Sequence, residues 1–261
     1  MSVMKNVLVS AFKHCAQLIS SSLVFLSLPS SGAEIGKQAW PVVSLPQDAV
    51  AYSIGEQIIA NGIPLQIKGF VAKSGPHAMA KWFRGRLGEP VVETKLGEAV
   101  ILGKAQHGYF ITIQINPADA GTNGTVTVSH LRAAYESRGK TRAGLNRLLA
   151  RLPAGSKIDT EMVSTDGRKL SRYYVASNRN NEEVNRDRIL DLMREDGMRL
   201  QYQPSAIDRE VVNRIPALLQ NGRTLFFQGE KKEAVAVIGR NAEGLTVVQV
   251  NVISEIGARN E

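Results

Sequence analysis

Three groups of side chains in this sequence have the types needed for chemistry: separated histidines, adjacent carboxylates and a run of cations. His77, His107 and His130 stand far apart, with neither the i,i+4 spacing nor the Glu-x-x-His partner of a helical metal site. They read as surface or capping residues, because a site needs several groups converging on one point. Glu182-Glu183 and Glu195-Asp196 are paired carboxylates. A glycosidase needs two such groups facing each other across a cleft, whereas acids at the ends of a helical pattern are explained by the helix dipole and by solvent. There is no Gly-x-Ser-x-Gly elbow, and no Ser-x-x-Lys motif stands at a helix start in the context of an acyl-transfer enzyme. Neither phosphate-loop pattern occurs, and a lone Cys15 excludes a cysteine zinc site. No catalytic residue, metal or cofactor is therefore expected.

The cations are more informative. Arg138, Lys140, Arg142, Arg147 and Arg151 cluster on a segment that also carries Leu145, Leu148, Leu149 and Leu152 at helical spacing. Such a basic amphipathic helix can dock in a partner's groove or lie on anionic lipid or polymer. The plainer alternative is a solvated linker helix whose leucines pack on a sheet. The chain has 32 Lys+Arg against 24 Asp+Glu, a moderate excess that suits an envelope protein near anionic lipid or polymer as well as it suits nucleic acid. Export, argued next, makes nucleic acid the poorer match. Trp82 and Phe83 beside Arg84 and Arg86 could form a contact patch, but their spacing is that of a helix packed on a core.

The first residues carry Lys5 and Lys13 without an acid, run into the apolar stretch Leu18 to Leu28, and reach Pro29-Ser30-Ser31-Gly32-Ala33. That is the plan of a secretory signal peptide, with cleavage expected between Ala33 and Glu34. The apolar stretch is about half the roughly 20 residues a membrane helix needs, so a permanent anchor is not expected. Cys15 precedes the apolar run, which rules out lipid attachment through it and leaves the processed chain free of thiols. A periplasmic or secreted location follows.

The elements that must position these residues come from an internal match. Residues 98–116 and 233–252 both open on Glu-Ala-Val, reach Gly-Lys or Gly-Arg, turn at glycine and end in an alternating strand. Upstream, Asn61-Gly62 and its following strand match Asp166-Gly167 and its own, both being hairpin signals. A helix follows each hairpin. In the first copy Ser74 is the expected cap, Pro76 opens the helix, Met79, Trp82, Phe83 and Leu87 share a face and Gly88 ends it. In the second, Asn180 with Glu183 resembles a capping box, Ile189, Leu192 and Met193 form the stripe and Gly197 ends it.

The expected fold class is α+β: two diverged β-β-α-β-β repeats, each an antiparallel sheet covered on one face by a helix. The boundaries are a signal peptide at 1–33, an extended lead-in at 34–50, a first repeat at 51–131, a basic connector with a short helix at 132–157, and a second repeat at 158–261. The second repeat holds a helical insertion near 198–222, with Ile207, Val211 and Ile215 at four-residue spacing and Pro216 breaking it. A strand is expected from Thr125 to Leu131, with Asn123-Gly124 as the turn before it. The functional expectation is an exported, non-enzymatic cell-envelope protein that binds another protein, as an accessory or assembly factor of a secretion or surface-structure system. The alternatives are an exported hydrolase or carbohydrate-active enzyme, and a peripheral binder of anionic lipid or polymer.

Overall fold

The computed structural model describes residues 39–54, 57–202 and 222–256. The signal segment with Ala33 and Glu34, and the helical pattern at Ile207, Val211 and Ile215, lie outside these residues. Thirteen antiparallel strands and three helices make the described chain an α+β fold. The strands are β1 (Ala49–Ser53), β2 (Gln57–Ala60), β3 (Ile63–Ala72), β4 (Val92–Leu96), β5 (Ala99–Gln106), β6 (Tyr109–Ala118), β7 (Gly121–His130), β8 (Lys157–Asp166), β9 (Lys169–Asn178), β10 (Met198–Tyr202), β11 (Arg223–Gly229), β12 (Lys232–Arg240) and β13 (Thr246–Glu255). The helices are α1 (Pro76–Leu87), α2 (Leu131–Ala150) and α3 (Glu182–Glu195).

The chain divides into two compact units: Met1–Ile54 with Gln66–His130, and Gly55–Leu65 with Leu131–Glu261, each taken over its described residues. In the first, the strand order is β3-β7-β6-β5-β4, with β1 paired to β3 along Lys68–Ala72. In the second it is β2-β8-β9-β13-β12-β11-β10. Strand β3 begins in the second unit, where Ile63–Leu65 pair with β2, and continues in the first. This corrects the expected plan. Each unit carries more strands than β-β-α-β-β, because the extended segments at 92–96, 198–202 and 223–229 all join the ladder. Residues 198–202 thus leave the expected helical insertion.

Helices α1 and α3 each cover one sheet face. In the first unit Met79, Ala80 and Phe83 of α1 are buried against Phe70, Leu102, Ile111, Ile113, Val126 and Val128. In the second, Ile189, Leu192 and Met193 of α3 pack with Tyr174, Ala176, Leu225, Ala236, Ile238 and Val250. The strand residues on these faces recur at every second position, as the pleat requires.

The cap residues differ from expectation. Gly75, one residue after the expected Ser74, is the N-cap of α1 and has no side chain to cap with, while the Ser74 hydroxyl donates to Asp48 Oδ2 at 2.7 Å. On α3 the cap falls one residue later than expected, at Asn181, whose Oδ1 accepts from Val184 N–H at 2.8 Å. Asn123-Gly124 is not a turn. It lies within β7, where a Cβ on Gly124 would stand 2.2 Å from Gln114 O and 2.5 Å from the Phe70 ring, so the glycine makes room for that ring. The connector helix is not short either: α2 runs unbroken from Leu131 to Ala150 through Gly139 and Gly144, because no proline falls within it and Pro153 comes only after it.

Candidate functional site

Helix α2 differs from the other two in having no buried residue among its twenty. Its sheet-facing seam is Ala134, Ser137, Thr141, Leu145 and Leu148, all half-buried, recurring at three- and four-residue spacing. Three of these five side chains are small, so the backbone comes close. Gly62, in the Asn61-Gly62 turn between β2 and β3, takes φ +79, and a Cβ there would stand 2.5 Å from Thr141 Cγ2. Both the left-handed backbone and this approach require glycine.

One flank of the helix opens on a cleft of about 480 Å³ within the second unit. Arg138 and Arg142 line it from α2, one turn apart, with Leu145, Asn146 and Leu149 farther along; Asn61 and the segment Ser156-Lys157-Ile158 form the opposite wall. The Arg138 guanidinium lies 4.4 Å from the centroid of the Tyr135 ring, a cation–π geometry that holds its stem along the flank. Asn61 Oδ1 accepts from Glu161 N–H at 2.8 Å, which fixes the turn and leaves the amide nitrogen as a donor. Lys157 lies 3.3 Å from Asp159, so its charge is partly neutralised. Among the described residues Arg138, Lys140, Arg142 and Arg147 have no carboxylate within ion-pair distance.

The five connector cations therefore separate. Arg138 and Arg142 meet on the cleft. Lys140 and Arg147 are exposed elsewhere on α2 and do not line it. Arg151 turns the other way: it is 2.8 Å from Asp196 Oδ1 and 3.4 Å from Glu195 Oε2 at the end of α3, while its carbonyl accepts from Arg188 Nε at 2.6 Å. Its hydrogen bond to Asp196 raises its pKa, and this residue fastens the connector to α3. The sequence pattern did not bring in Asn61, Asn146, Ser156 or Lys157. Only Asn61-Gly62 carried a signal, and it read as a turn.

The remaining candidates have structural partners. Glu195 is held below the ordinary carboxylate range by hydrogen bonds from Arg188 and then Arg151. Glu183 stands 2.6 Å from Arg223, and Glu182 is 3.5 Å from Arg240. His77 and His107 are exposed. His130 is not a free surface residue: it stacks on Tyr109 with centroids 4.4 Å apart, and Trp40 closes on both rings at 5.4 Å. Trp82 is half-buried and packs its edge against Phe83. Among the described residues no group of three or more His, Cys, Asp or Glu is placed to hold a metal ion, and no helix is long and apolar enough to cross a membrane.

Two guanidiniums, side-chain amides and a half-neutralised ammonium along an open trough make a donor-rich, acceptor-poor surface. It can bind carboxylates or other anions; it presents no paired nucleophile and base.

No protein-family model matches this chain. No curated protein matches it either. Among solved structures, the apo structure of the immunity protein TplEi of the T6SS from Pseudomonas aeruginosa is similar over 82% of this chain and 85% of its own, at 11% identity and a TM-score of 0.24. A score that low supports no statement about this chain's fold or function.

Proposed function

We propose that this chain is an exported cell-envelope protein that acts by binding another protein, as an accessory or assembly factor of a secretion or surface-structure system, and that it takes an acidic segment of its partner along α2. The observation that carries the reading is the pair Arg138 and Arg142, presented on an open cleft with no carboxylate among the described residues within ion-pair distance. A protein partner is favoured over a lipid surface by the direction of the helix. An interfacial helix turns its apolar stripe outward into the bilayer. Here Leu145 and Leu148 turn to the sheet, and the outward arc of Arg132, Glu136, Gly139 and Ala143 is polar or small, with Leu131 and Tyr135 the exposed large apolar side chains of the helix. The duplication reading is supported by the shared order β3-β7-β6-β5-β4 with α1 and β9-β13-β12-β11-β10 with α3. On that reading the Glu-Ala-Val match is displaced by one strand, since β5 and β6 correspond in order to β11 and β12. Export rests on the N-terminal sequence pattern.

The test uses a fluorescent peptide rich in Glu and Asp, and vesicles containing anionic lipid. Arg138→Gln with Arg142→Gln is expected to weaken peptide binding at least about tenfold, the loss of two charge-assisted contacts, and Lys140→Gln with Arg147→Gln to change it less than twofold. Equal losses in the two variants, or vesicle binding with no peptide binding, would reject the acidic-segment reading. For export, the N-terminus of the protein recovered from a periplasmic extract is expected to be Glu34.

A further inference from the structure

We infer that β4 is a self-pairing edge, through which two copies of this chain associate about a two-fold axis at Thr94. The inference is independent of the cleft on α2. Strand β4 ends the strand order of the first unit, and among the described residues it pairs with β5 alone. All five of its residues are exposed, including Val92 at 69% and Leu96 at 45%. A sheet edge with exposed apolar side chains is a template for another strand.

The order of residues selects the partner. Val92-Glu93-Thr94-Lys95-Leu96 is self-complementary when read antiparallel. Centred on Thr94, the pairing sets Glu93 opposite Lys95 of the second copy, Lys95 opposite Glu93, and Val92 opposite Leu96. Such an isologous contact makes every favourable pair twice. Adjacent registers are excluded by charge: sliding by two residues in either direction sets Glu93 opposite Glu93 or Lys95 opposite Lys95, and like charges directly opposite are destabilising.

The two faces of the strand agree with this. Glu93 and Lys95 pair with Leu102 and Val100 on the face that α1 covers, whereas Val92, Thr94 and Leu96 pair with Gly103, Ile101 and Ala99 on the other. The charged pairs therefore form on one side and the apolar pairs on the other. Glu93 is already fixed for the contact, because Arg84 donates to both its oxygens, at 2.6 and 3.1 Å. Each oxygen keeps capacity for a further donor.

The strand at the corresponding end of the second unit lacks these properties. In β10 Met198 is buried, the register with β11 shifts between Leu200 and Tyr202, and a two-fold at Leu200 would set Arg199 opposite Gln201. Strand β10 therefore does not offer the same contact. Five residues per copy make a small interface, and a weak, concentration-dependent dimer is expected.

Sedimentation velocity of the purified chain over a concentration series tests this, with the circular dichroism of each variant confirming its fold. The wild-type chain is expected to dimerise, and Lys95→Glu and Glu93→Lys each to weaken dimerisation at least tenfold by placing like charges opposite. An equimolar mixture of the two variants should dimerise again, as Glu-Lys pairs re-form between unlike copies, and so should the double variant carrying both changes. Because Glu93→Lys also removes the Arg84 partner, a second measurement stands apart from it. With Cys15→Ser, Thr94→Cys should oxidise to a covalent dimer at least tenfold faster than Lys81→Cys. A wild-type chain that stays monomeric, charge variants that associate like wild type, or equal oxidation rates would each overturn the inference.

Discussion

The two units solve the same packing problem at equivalent places in their strand orders with opposite choices. In the first, the Phe70 ring fills the space over Gly124; in the second, Ala176 lies opposite Val248. Bulk has moved from one strand to its neighbour, which keeps the core filled while changing both residues. The lysine that reaches the end of each helix has moved as well. In the first unit Lys104 of β5 donates to the carbonyls of Leu87 and Gly88; in the second Lys232 of β12 donates to Asp196 O. Tyr109 starts β6 where Lys232 starts β12, and each cation meets the negative end of a helix dipole. A buried threonine is common to both. Thr122 donates to Ser74 O and Thr246 to Asn180 O, each at 2.6 Å, tying the last strand of each unit to the residue before the helix cap. What must be conserved between such units is therefore the filled volume and the satisfied backbone group, and not the residue that supplies them.

The clearest contrast lies at the end of the strand that leads into each helix. The first unit has Ala72 and Met79 there, both buried and apolar. The second has Asn178 and Asn185, also buried, exchanging amide hydrogen bonds at 2.8 and 3.0 Å. Asn178 also donates to Ser156 Oγ and accepts from Asn180 N–H, both at 3.0 Å. The equivalent backbone donor in the first unit, Ser74 N–H, is satisfied from outside by Asp48 Oδ2 at 2.9 Å. One unit closes the helix entry with its own buried amides, and the other borrows a carboxylate from the lead-in segment.

Four substitutions would break or sharpen this comparison. Gly124→Ala carries the largest expected effect, at least about 3 kcal/mol by denaturant unfolding, because the added carbon meets a backbone oxygen that cannot give way. A loss under about 1 kcal/mol would mean that the glycine is not what accommodates Phe70. Next, Asn178→Ala should cost about 2–3 kcal/mol, since it leaves Asn185 Oδ1 and Asn180 N–H without their partners. Asn185→Met, which copies the first unit, should cost about 1 kcal/mol less, because Asn178 keeps Ser156 and Asn180. Equal costs would show that the amide pair itself carries the stability. The smallest effect is expected from Asp48→Ala. Hydrogen bonds from Ser74 hold the Asp48 carboxyl below its ordinary pKa. The stabilisation is present in full above that ordinary value and fades as pH falls toward the lowered one. The difference between wild type and variant in thermal unfolding should therefore shrink in acid, and a difference that grows there would contradict the assignment.

The residue pattern by itself determined the α+β class, the hairpins at Asn61-Gly62 and His107-Gly108, the stop signals Gly88 and Gly197, and the apolar faces of α1 and α3. Each of these follows from local sterics or from a two- or three-to-four-residue period, which chain neighbours alone set. The basic segment was visible too, as a cluster of five cations. Tertiary structure decided the rest, because it depends on groups far apart in the chain. It brought Asp48 to accept from the Ser74 hydroxyl just ahead of α1, set the N-cap at Gly75, and placed Gly124 inside a strand beneath a phenylalanine. It assigned the short strands β4 and β10 to the ladder, since an alternation of only five mostly exposed residues is too short to announce a strand or its pairing partner. Finally it divided the cations, turning Arg151 to the acids of α3 and leaving Arg138 and Arg142 on the cleft beside Asn61, a separation that only the meeting of α2 with the β2–β3 turn could make.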